Sequence, residues 1–200
     1  MNLHLLFLFG PSARAKHRYT TLLTDTFDQP ARVILIEGEL REWELFPREY
    51  ELYKYIRKRD YTLSRFGEEI AAGLEKDEDL SFIFPDLLND EEDLWKIFKT
   101  VREVSPRQIT MDFVHLNINT EEAERRGSSN ENFLERWNNS QQIQKSLVAV
   151  IKRSDLNIDL IEIDVNRTTA EVQEDLRREL SRRTTFKERA LTVNPHPELF

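Results

Sequence analysis

The sequence predicts an α/β fold, a three-layer α/β/α sandwich around a five-stranded and mostly parallel sheet. Five short apolar runs are continuous rather than alternating, which is typical of strands buried on both faces of a parallel sheet. Helical patterns lie between them, and such alternation is typical of parallel strands joined by right-handed crossovers. The 200 residues, 39% of them hydrophobic, are enough for one large core.

The predicted strands are short apolar runs separated by longer, more polar segments. They cover residues 3–9 (LHLLFLF), 31–37 (ARVILIE), 80–84 (LSFIF), 112–118 (DFVHLNI) and 158–164 (IDLIEID).

The predicted helices fill the gaps and follow the last strand. They cover residues 17–27, 47–74, 89–103, 130–153 and 168–183. Asn89 or Asp90 is the expected N-cap of the third helix, and Thr168 or Thr169 that of the last. The third helix should bury Leu94, Ile97, Phe98 and Val101, and the tryptophans Trp43, Trp95 and Trp137 are expected in the core.

The chain shows no repeat, linker or low-complexity segment. We therefore predict a single domain over residues 1–183, followed by a flexible tail over residues 184–200 that contains two prolines.

Composition excludes several classes of function. The absence of cysteine rules out disulfides, thiolate metal sites and a cysteine nucleophile, and the four histidines show no metal-ligand spacing. A net charge of -8, equal to that of residues 67–104 alone, argues against direct nucleic-acid binding. No apolar run is long enough for a membrane span or resembles a signal peptide, so an intracellular protein, cytoplasmic or nuclear, is expected.

The stretch LFGPSARAKHR (residues 8–18) lies between the first strand and the first predicted helix. A phosphate-binding loop, or P-loop, has the pattern G-x-x-x-x-G-K-[ST] in this setting. Gly10 and Lys16 match it, so the predicted nucleotide-binding residues are Gly10, Ser12, Arg14 and Lys16. The same residues are also compatible with a tight turn between strand and helix that has exposed basic side chains and binds no ligand.

Two positions of this loop depart from the pattern. Ala15 replaces the second glycine, and its Cβ hinders a close approach of phosphate to the backbone. His17 replaces the hydroxyl residue, and imidazole is a poor ligand for Mg²⁺, which prefers oxygen. A helix N-terminus still favours an anion, so the loop could retain weak nucleotide or phosphate binding without efficient phosphoryl transfer.

Four further segments occur in a suggestive order: IEGELREW (36–43), YIRKRDYTLSRFGEE (55–69), FIFPDLLNDEEDLWKIF (82–98) and ERRGSSNE (124–131). Together with the loop, they resemble the animal-type phosphomevalonate kinases, relatives of the P-loop nucleoside monophosphate kinases. The resemblance implies transfer of the ATP γ-phosphoryl group to 5-phosphomevalonate, with Mg²⁺. It implies Lys16 on the ATP phosphates, Asp86 near the metal or substrate, Arg65 facing the acceptor and Arg126 as a cation of the lid.

The sequence also departs from that family. Leu87 and Leu88 stand where the family has arginines, and polar residues follow Arg126 and Gly127 where the family has an aromatic, glycine and acidic pattern. Removal of a single transition-state charge partner costs about 10²–10³ in rate. The favoured hypothesis is therefore a catalytically impaired, phosphomevalonate-kinase-like protein that acts through protein partners and needs no cofactor.

Two other hypotheses stay open. The chain could be an active small-molecule kinase, phosphomevalonate kinase itself, with Lys16 and Asp86 as catalytic residues, Arg65 and Arg126 as substrate-binding residues, and ATP and Mg²⁺ as requirements. It could also be a regulator that binds a nucleotide without turnover.

Overall fold

The computed structural model describes residues 3–10, 19–20, 31–33, 51–75, 80–84, 87–88, 90–104, 109–127 and 133–182. The elements in chain order are β1 (Leu3–Phe9), β2 (Ala31–Val33), α1 (Glu51–Leu74), β3 (Leu80–Phe84), α2 (Glu91–Val104), β4 (Ile109–Asn117), α3 (Thr120–Gly127), α4 (Phe133–Lys152), β5 (Ile158–Asp164) and α5 (Thr169–Ser181). Tyr19 and Thr20 are also helical.

The sheet confirms the predicted fold class. Its five strands lie in the order β2-β3-β1-β4-β5, and every described pair of neighbours is parallel. The central strand β1 is buried along its whole length, which explains its unbroken apolar sequence. Its side chains alternate between two hydrophobic clusters, one on each face of the sheet.

One face of the sheet, called the aromatic face below, is covered by α1, α2 and α4. Phe7 lies at its centre, with its ring stacked on Phe84 at 5.3 Å and on Phe113 at 4.8 Å between ring centroids. Phe66 of α1 meets the same group at 5.9 Å from Phe7, and Phe98 of α2 lies edge-on to Phe113. Contacts of this kind fix the distance between helices and sheet.

The opposite face, called the aliphatic face, is covered by α5, by Tyr19, and near its carboxyl edge by Ala123 and Trp137. Its core members are mostly aliphatic: Leu6, Leu8, Ile83, Val114, Leu116, Ile118, Ile161, Ile163, Val165, Val172, Leu176 and Leu180. It also buries a polar pair, because His4 Nε2 lies 2.9 Å from Asp112 Oδ2 between the two central strands.

The close contact of α1 with the sheet depends on a glycine. A Cβ at Gly73 would lie 2.9 Å from Phe82 Cε2 and 3.3 Å from Leu3 Cδ1. Both partners are core side chains, so a larger residue would push α1 away from β1 and β3.

Most predicted element bounds agree with the structure. β1, β3 and β5 have the predicted limits, whereas β4 begins at Ile109, opposite Leu3, instead of at residue 112. Asp90 accepts a hydrogen bond from the Asp93 backbone N–H at 3.0 Å, and Thr168 caps α5, so one alternative of each predicted cap is confirmed. The helix predicted over 17–27, apart from Tyr19 and Thr20, and the tail at 184–200 lie outside the described residues.

Two features of the helices were not predicted. Helix α3 was not expected, since Ala123 is its only apolar residue in an otherwise polar segment. Trp95 is 51% exposed on α2, so its assignment to the core is wrong, whereas Trp137 is buried as predicted. Within the described residues, no helix is both long and apolar enough to cross a membrane.

Candidate functional site

The strand order identifies one edge of the sheet as the candidate site. After β1 the chain continues to β2 on one side, and after β4 it continues to β5 on the other. In open parallel sheets, ligands bind in the crevice at the carboxyl ends of two such strands. The stretch that begins at Gly10 follows the carboxyl end of β1, so this crevice is where the predicted loop starts.

Gly10 is held closely against β4. Its φ is +159°, and a Cβ at this position would lie 2.9 Å from both the Cβ and the carbonyl oxygen of Leu116. The contact is with a neighbouring strand, so a side chain here would displace the start of the loop. The packing requires glycine at position 10 whether or not the loop binds phosphate.

Phe9, the last residue of β1, is also held by β4. His115 is its register partner, and the two rings stack at 4.8 Å between centroids with an angle of 9°. His115 Nε2 lies 3.0 Å from Gln144 Oε1 of α4, and the Gln144 amide donates to Ser140 Oγ at 2.9 Å. His115 is thus a packed, hydrogen-bonded residue, and it lies against Phe9, the residue before Gly10.

Arg65 lies near the same edge, because the adjacent Phe66 packs against Phe84 at the end of β3. Its guanidinium is bound to two carboxylates of its own helix, Glu68 at 2.6 Å and Glu69 at 3.2 Å. The helical spacing of three and four residues accounts for these ion pairs. An acceptor phosphate would have to compete with both carboxylates for Arg65.

The end of β3 leads into the hydrophobic core. Leu87 and Leu88 are 3% and 6% exposed and belong to the core of the aromatic face. Packing is thus a sufficient reason for leucine at both positions. Asp86 lies outside the described residues.

Helix α3 follows β4 directly. The side chain of Asn119 caps it by accepting a hydrogen bond from the Glu122 backbone N–H at 2.8 Å. Arg125 donates to Glu122, and this hydrogen bond, with the attraction between the charges, raises the pKa of the exposed arginine. Arg126 belongs to the same helix, but its side chain lies outside the described part.

The loop between β5 and α5 is tied to the start of α3. Asn166 Oδ1 accepts from the Asn119 backbone N–H at 2.8 Å, and the Val165 N–H donates to the Asn117 carbonyl at 2.9 Å. Arg167 of the same loop forms an ion pair with Asp175 of α5. These bonds hold the carboxyl ends of β4 and β5 together beside the crevice.

The structure tests the predicted site residues unevenly. Gly10 follows the carboxyl end of β1, and Arg65 lies on α1 beside Phe66. Ser12, Arg14, Lys16 and Asp86, like Ala15 and His17, lie outside the described residues. The residues described do not include any group of three or more carboxylates or histidines able to hold a metal ion. No sequence pattern assigns a site role to His115, Gln144 or Asn166.

Comparison with solved structures identifies the fold more closely. A shikimate kinase from Aquifex aeolicus has a TM-score of 0.52 and 15% identity, over 88% of this chain and 96% of its own. A deoxyadenosine kinase from M. mycoides has a TM-score of 0.55 and 12% identity, over 90% of this chain and 100% of its own. The chain shares the overall fold of these two kinases.

Sequence comparison adds no family. No family model matches the chain, and no curated protein matches it. Nothing in the comparisons supports the phosphomevalonate kinases in particular.

Proposed function

We propose that this protein is a nucleotide-dependent phosphotransferase that acts on a small molecule. One observation carries the proposal: the fold agrees over almost the whole length of two kinases named for different small acceptors, shikimate and deoxyadenosine. In this chain Gly10 and Lys16 follow β1, the central strand of the sheet. One fold can host many functions, so the proposal also depends on the residues of the loop.

In this proposal the loop after β1 holds the triphosphate. Backbone N–H groups from Gly10 onward and the Lys16 ammonium contact the phosphate oxygens, with Ser12 and Arg14 beside them. An acceptor oxygen attacks the γ-phosphorus, its bond to phosphorus forms as the bond to ADP breaks, and the acceptor proton leaves to a base or water. The Asp86 carboxylate would offer oxygen ligands suited to Mg²⁺, whereas the His17 imidazole would not.

The catalytically impaired alternative loses part of its support. Its argument counted Leu87, Leu88 and the segment after Arg126 as losses relative to the phosphomevalonate kinases. No comparison supports membership of that family, and both leucines are explained by packing in the core. The departures that remain lie within the loop, at Ala15 and His17, and they predict slow turnover and weak metal binding rather than none.

The direct test is transfer of labelled γ-phosphate from ATP, with Mg²⁺, to a panel of acceptors. The panel contains hydroxy acids such as shikimate, deoxynucleosides, sugars and 5-phosphomevalonate. We expect one class of acceptor to be labelled, and Lys16→Ala to reduce the rate about 10²–10³-fold. Lys145→Ala, on the exposed side of α4, is the matched control and should leave the rate unchanged.

A repair variant tests the loop from the opposite direction. His17→Ser restores the hydroxyl of the usual pattern, and it should lower the Mg²⁺ concentration that gives half-maximal activity. If His17→Ser and Lys16→Ala both leave the labelled product unchanged, the loop is not the site of transfer. If no acceptor is labelled, the protein is not a kinase for these classes.

A second candidate is the impaired protein that acts through protein partners. The observation in its favour is that the Arg65 guanidinium forms ion pairs with Glu68 and Glu69, with which an acceptor phosphate would have to compete. This candidate predicts a stoichiometric partner that Lys16→Ala still binds, with no labelled acceptor. A nucleotide-binding regulator would differ from both by binding ATP with no turnover and losing that binding in Lys16→Ala.

A further inference from the structure

His115 occupies a distinctive position among the residues of the candidate site. It stacks on Phe9, the last residue before Gly10, while the next residue of β4, Leu116, meets Gly10 itself. The end of β1 and the start of the loop are thus held by two consecutive residues of one strand. A shift of either residue would move the backbone of Phe9 and Gly10.

The other side of the His115 ring is bound to α4. The Gln144 amide nitrogen donates to Ser140, so the carbonyl oxygen of that amide faces His115. The His115 Nε2 therefore carries the proton and donates it. Gln144 is only 5% exposed, and burial of an amide is tolerated because both of its ends are bonded.

The same helix is attached to the start of α3. Trp137 is 6% exposed, and its indole N–H donates to Thr120 Oγ1 at 3.1 Å. Trp137 and Gln144 are two turns apart, about 10 Å along the helix axis. Helix α4 therefore contacts the start of α3 through Trp137. Through Gln144 it contacts His115, whose ring stacks on Phe9.

We propose that His115 is a positioning residue that couples the phosphate loop to helices α3 and α4. The inference rests on the proposed function, because it requires a nucleoside triphosphate at the loop. Phosphate held by the loop restrains Phe9 and Gly10, and this favours one orientation of the His115 ring. Through Gln144, that orientation favours one placement of α4, and thereby of α3.

Packing alone would not require this arrangement. A phenylalanine at position 115 could stack on Phe9 equally well, and a methionine at position 144 would fill a similar volume without polar groups to satisfy. Both substitutions keep the shape and remove the hydrogen bond. They therefore separate coupling from packing.

The experiment is hydrogen exchange of the full chain, followed by mass spectrometry, with and without MgATP. Peptides covering residues 3–18 report on the loop, and peptides covering 133–147 report on α4. In the wild type, MgATP should slow exchange in both. In His115→Phe and Gln144→Met, we expect the loop to remain protected, the protection of α4 to be lost, and the apparent Kd for MgATP to rise about 2–30-fold.

Gln142→Ala, at an exposed position of the same helix, is the control and should behave as the wild type. If MgATP does not slow exchange at residues 3–18 in the wild type, the result contradicts both the proposed function and the coupling. If the loop is protected but α4 is not, or if α4 remains protected in both variants, the coupling is wrong while nucleotide binding stands. Hydrogen exchange measured without MgATP shows whether each variant is folded. If one variant does not fold, the result for the other variant tests the coupling.

Discussion

The two faces of the sheet use different chemistry to hold the same central strand. On the aromatic face, Phe7 is stacked between Phe84 and Phe113, and a second stacked pair, Phe9 and His115, lies at the carboxyl edge. On the aliphatic face, Leu6 and Leu8 pack among branched side chains, and the buried polar contact is near the other end, at His4.

The difference shows how a core can support a site. Ring stacking restricts both the distance and the angle between two side chains. The aromatic face therefore holds Phe9, the residue before Gly10, more tightly than aliphatic contacts would. The aliphatic face adds to the strand pairing a buried side-chain contact between β1 and β4, His4 with Asp112, in the amino-terminal half of β1. Five predictions test this contrast, from the largest expected effect to the smallest.

Phe113→Ala should cause the largest loss of stability. The side chain is fully buried and contacts Phe7 and Phe98, so truncation leaves a cavity between the sheet and α2. We expect a loss of about 3–5 kcal/mol in the free energy of unfolding, measured by urea denaturation. A loss below about 1 kcal/mol would show that the stacked rings around Phe113 contribute little to the stability of this face.

Asp112→Ala should have an intermediate effect on the opposite face. It removes the carboxylate bound to His4 at a site where both side chains are almost fully buried. The expected loss is about 1–3 kcal/mol, the usual cost when one partner of a buried hydrogen bond is removed. Asp112→Asn keeps the shape and an acceptor oxygen, so it should lose less than Asp112→Ala. Equal losses would contradict the assigned role of the hydrogen bond.

The cap of α5 should contribute less. Thr168 and Glu171 form a capping box in which each side chain accepts from the other's backbone N–H. Thr168→Ala should cost about 1 kcal/mol in the free energy of unfolding. Ser at the same position keeps the hydroxyl and should restore most of the loss.

The same cap predicts a dependence on pH. The hydrogen bond from Thr168 lowers the pKa of Glu171 from its ordinary value of 4.5. A lowered pKa in the folded state means that the stabilisation is present above pH 4.5 and is lost as pH falls through the lower folded value. The difference in thermal midpoint between the wild type and Glu171→Gln should therefore shrink as the pH falls below 4.5. A constant difference across that range would rule out the ionised carboxylate as the cap.

An exposed ion pair on the aromatic-face helix α2 provides the smallest expected effect. Lys99 and Glu103 lie 3.7 Å apart, with side chains 74% and 64% exposed. Lys99→Ala should change the free energy of unfolding by less than about 0.5 kcal/mol, and the thermal midpoint should show this. A larger change would show that this ion pair, and not only the buried rings, contributes to the stability of the aromatic face.

The fold could be predicted because the sheet is buried on both faces. Continuous apolar runs such as LHLLFLF and LSFIF indicate such strands without knowledge of their neighbours. Helix α3 could not be predicted from periodicity, since Ala123 is its only apolar side chain and Asn119 caps it through a local hydrogen bond. Its position also depends on Asn166, 47 residues further along the chain.

The candidate site could be predicted only where it is local in sequence. Gly10 and Lys16 follow a loop pattern, and a resemblance implied that Arg65 faces the acceptor. The contact between Phe9 and His115 requires the register of β1 with β4, which no local pattern gives. Gln144 lies 29 residues beyond His115, and its role depends on how α4 crosses the sheet.

The central claim is that the loop after β1 binds a nucleoside triphosphate. The most direct measurement is a calorimetric titration of the full chain with ATP and Mg²⁺, repeated with Lys16→Ala and with the control Lys145→Ala. We predict saturable binding at one site in the wild type and in Lys145→Ala, and binding at least tenfold weaker in Lys16→Ala. No heat at millimolar nucleotide, or equal affinity in Lys16→Ala, would contradict the claim.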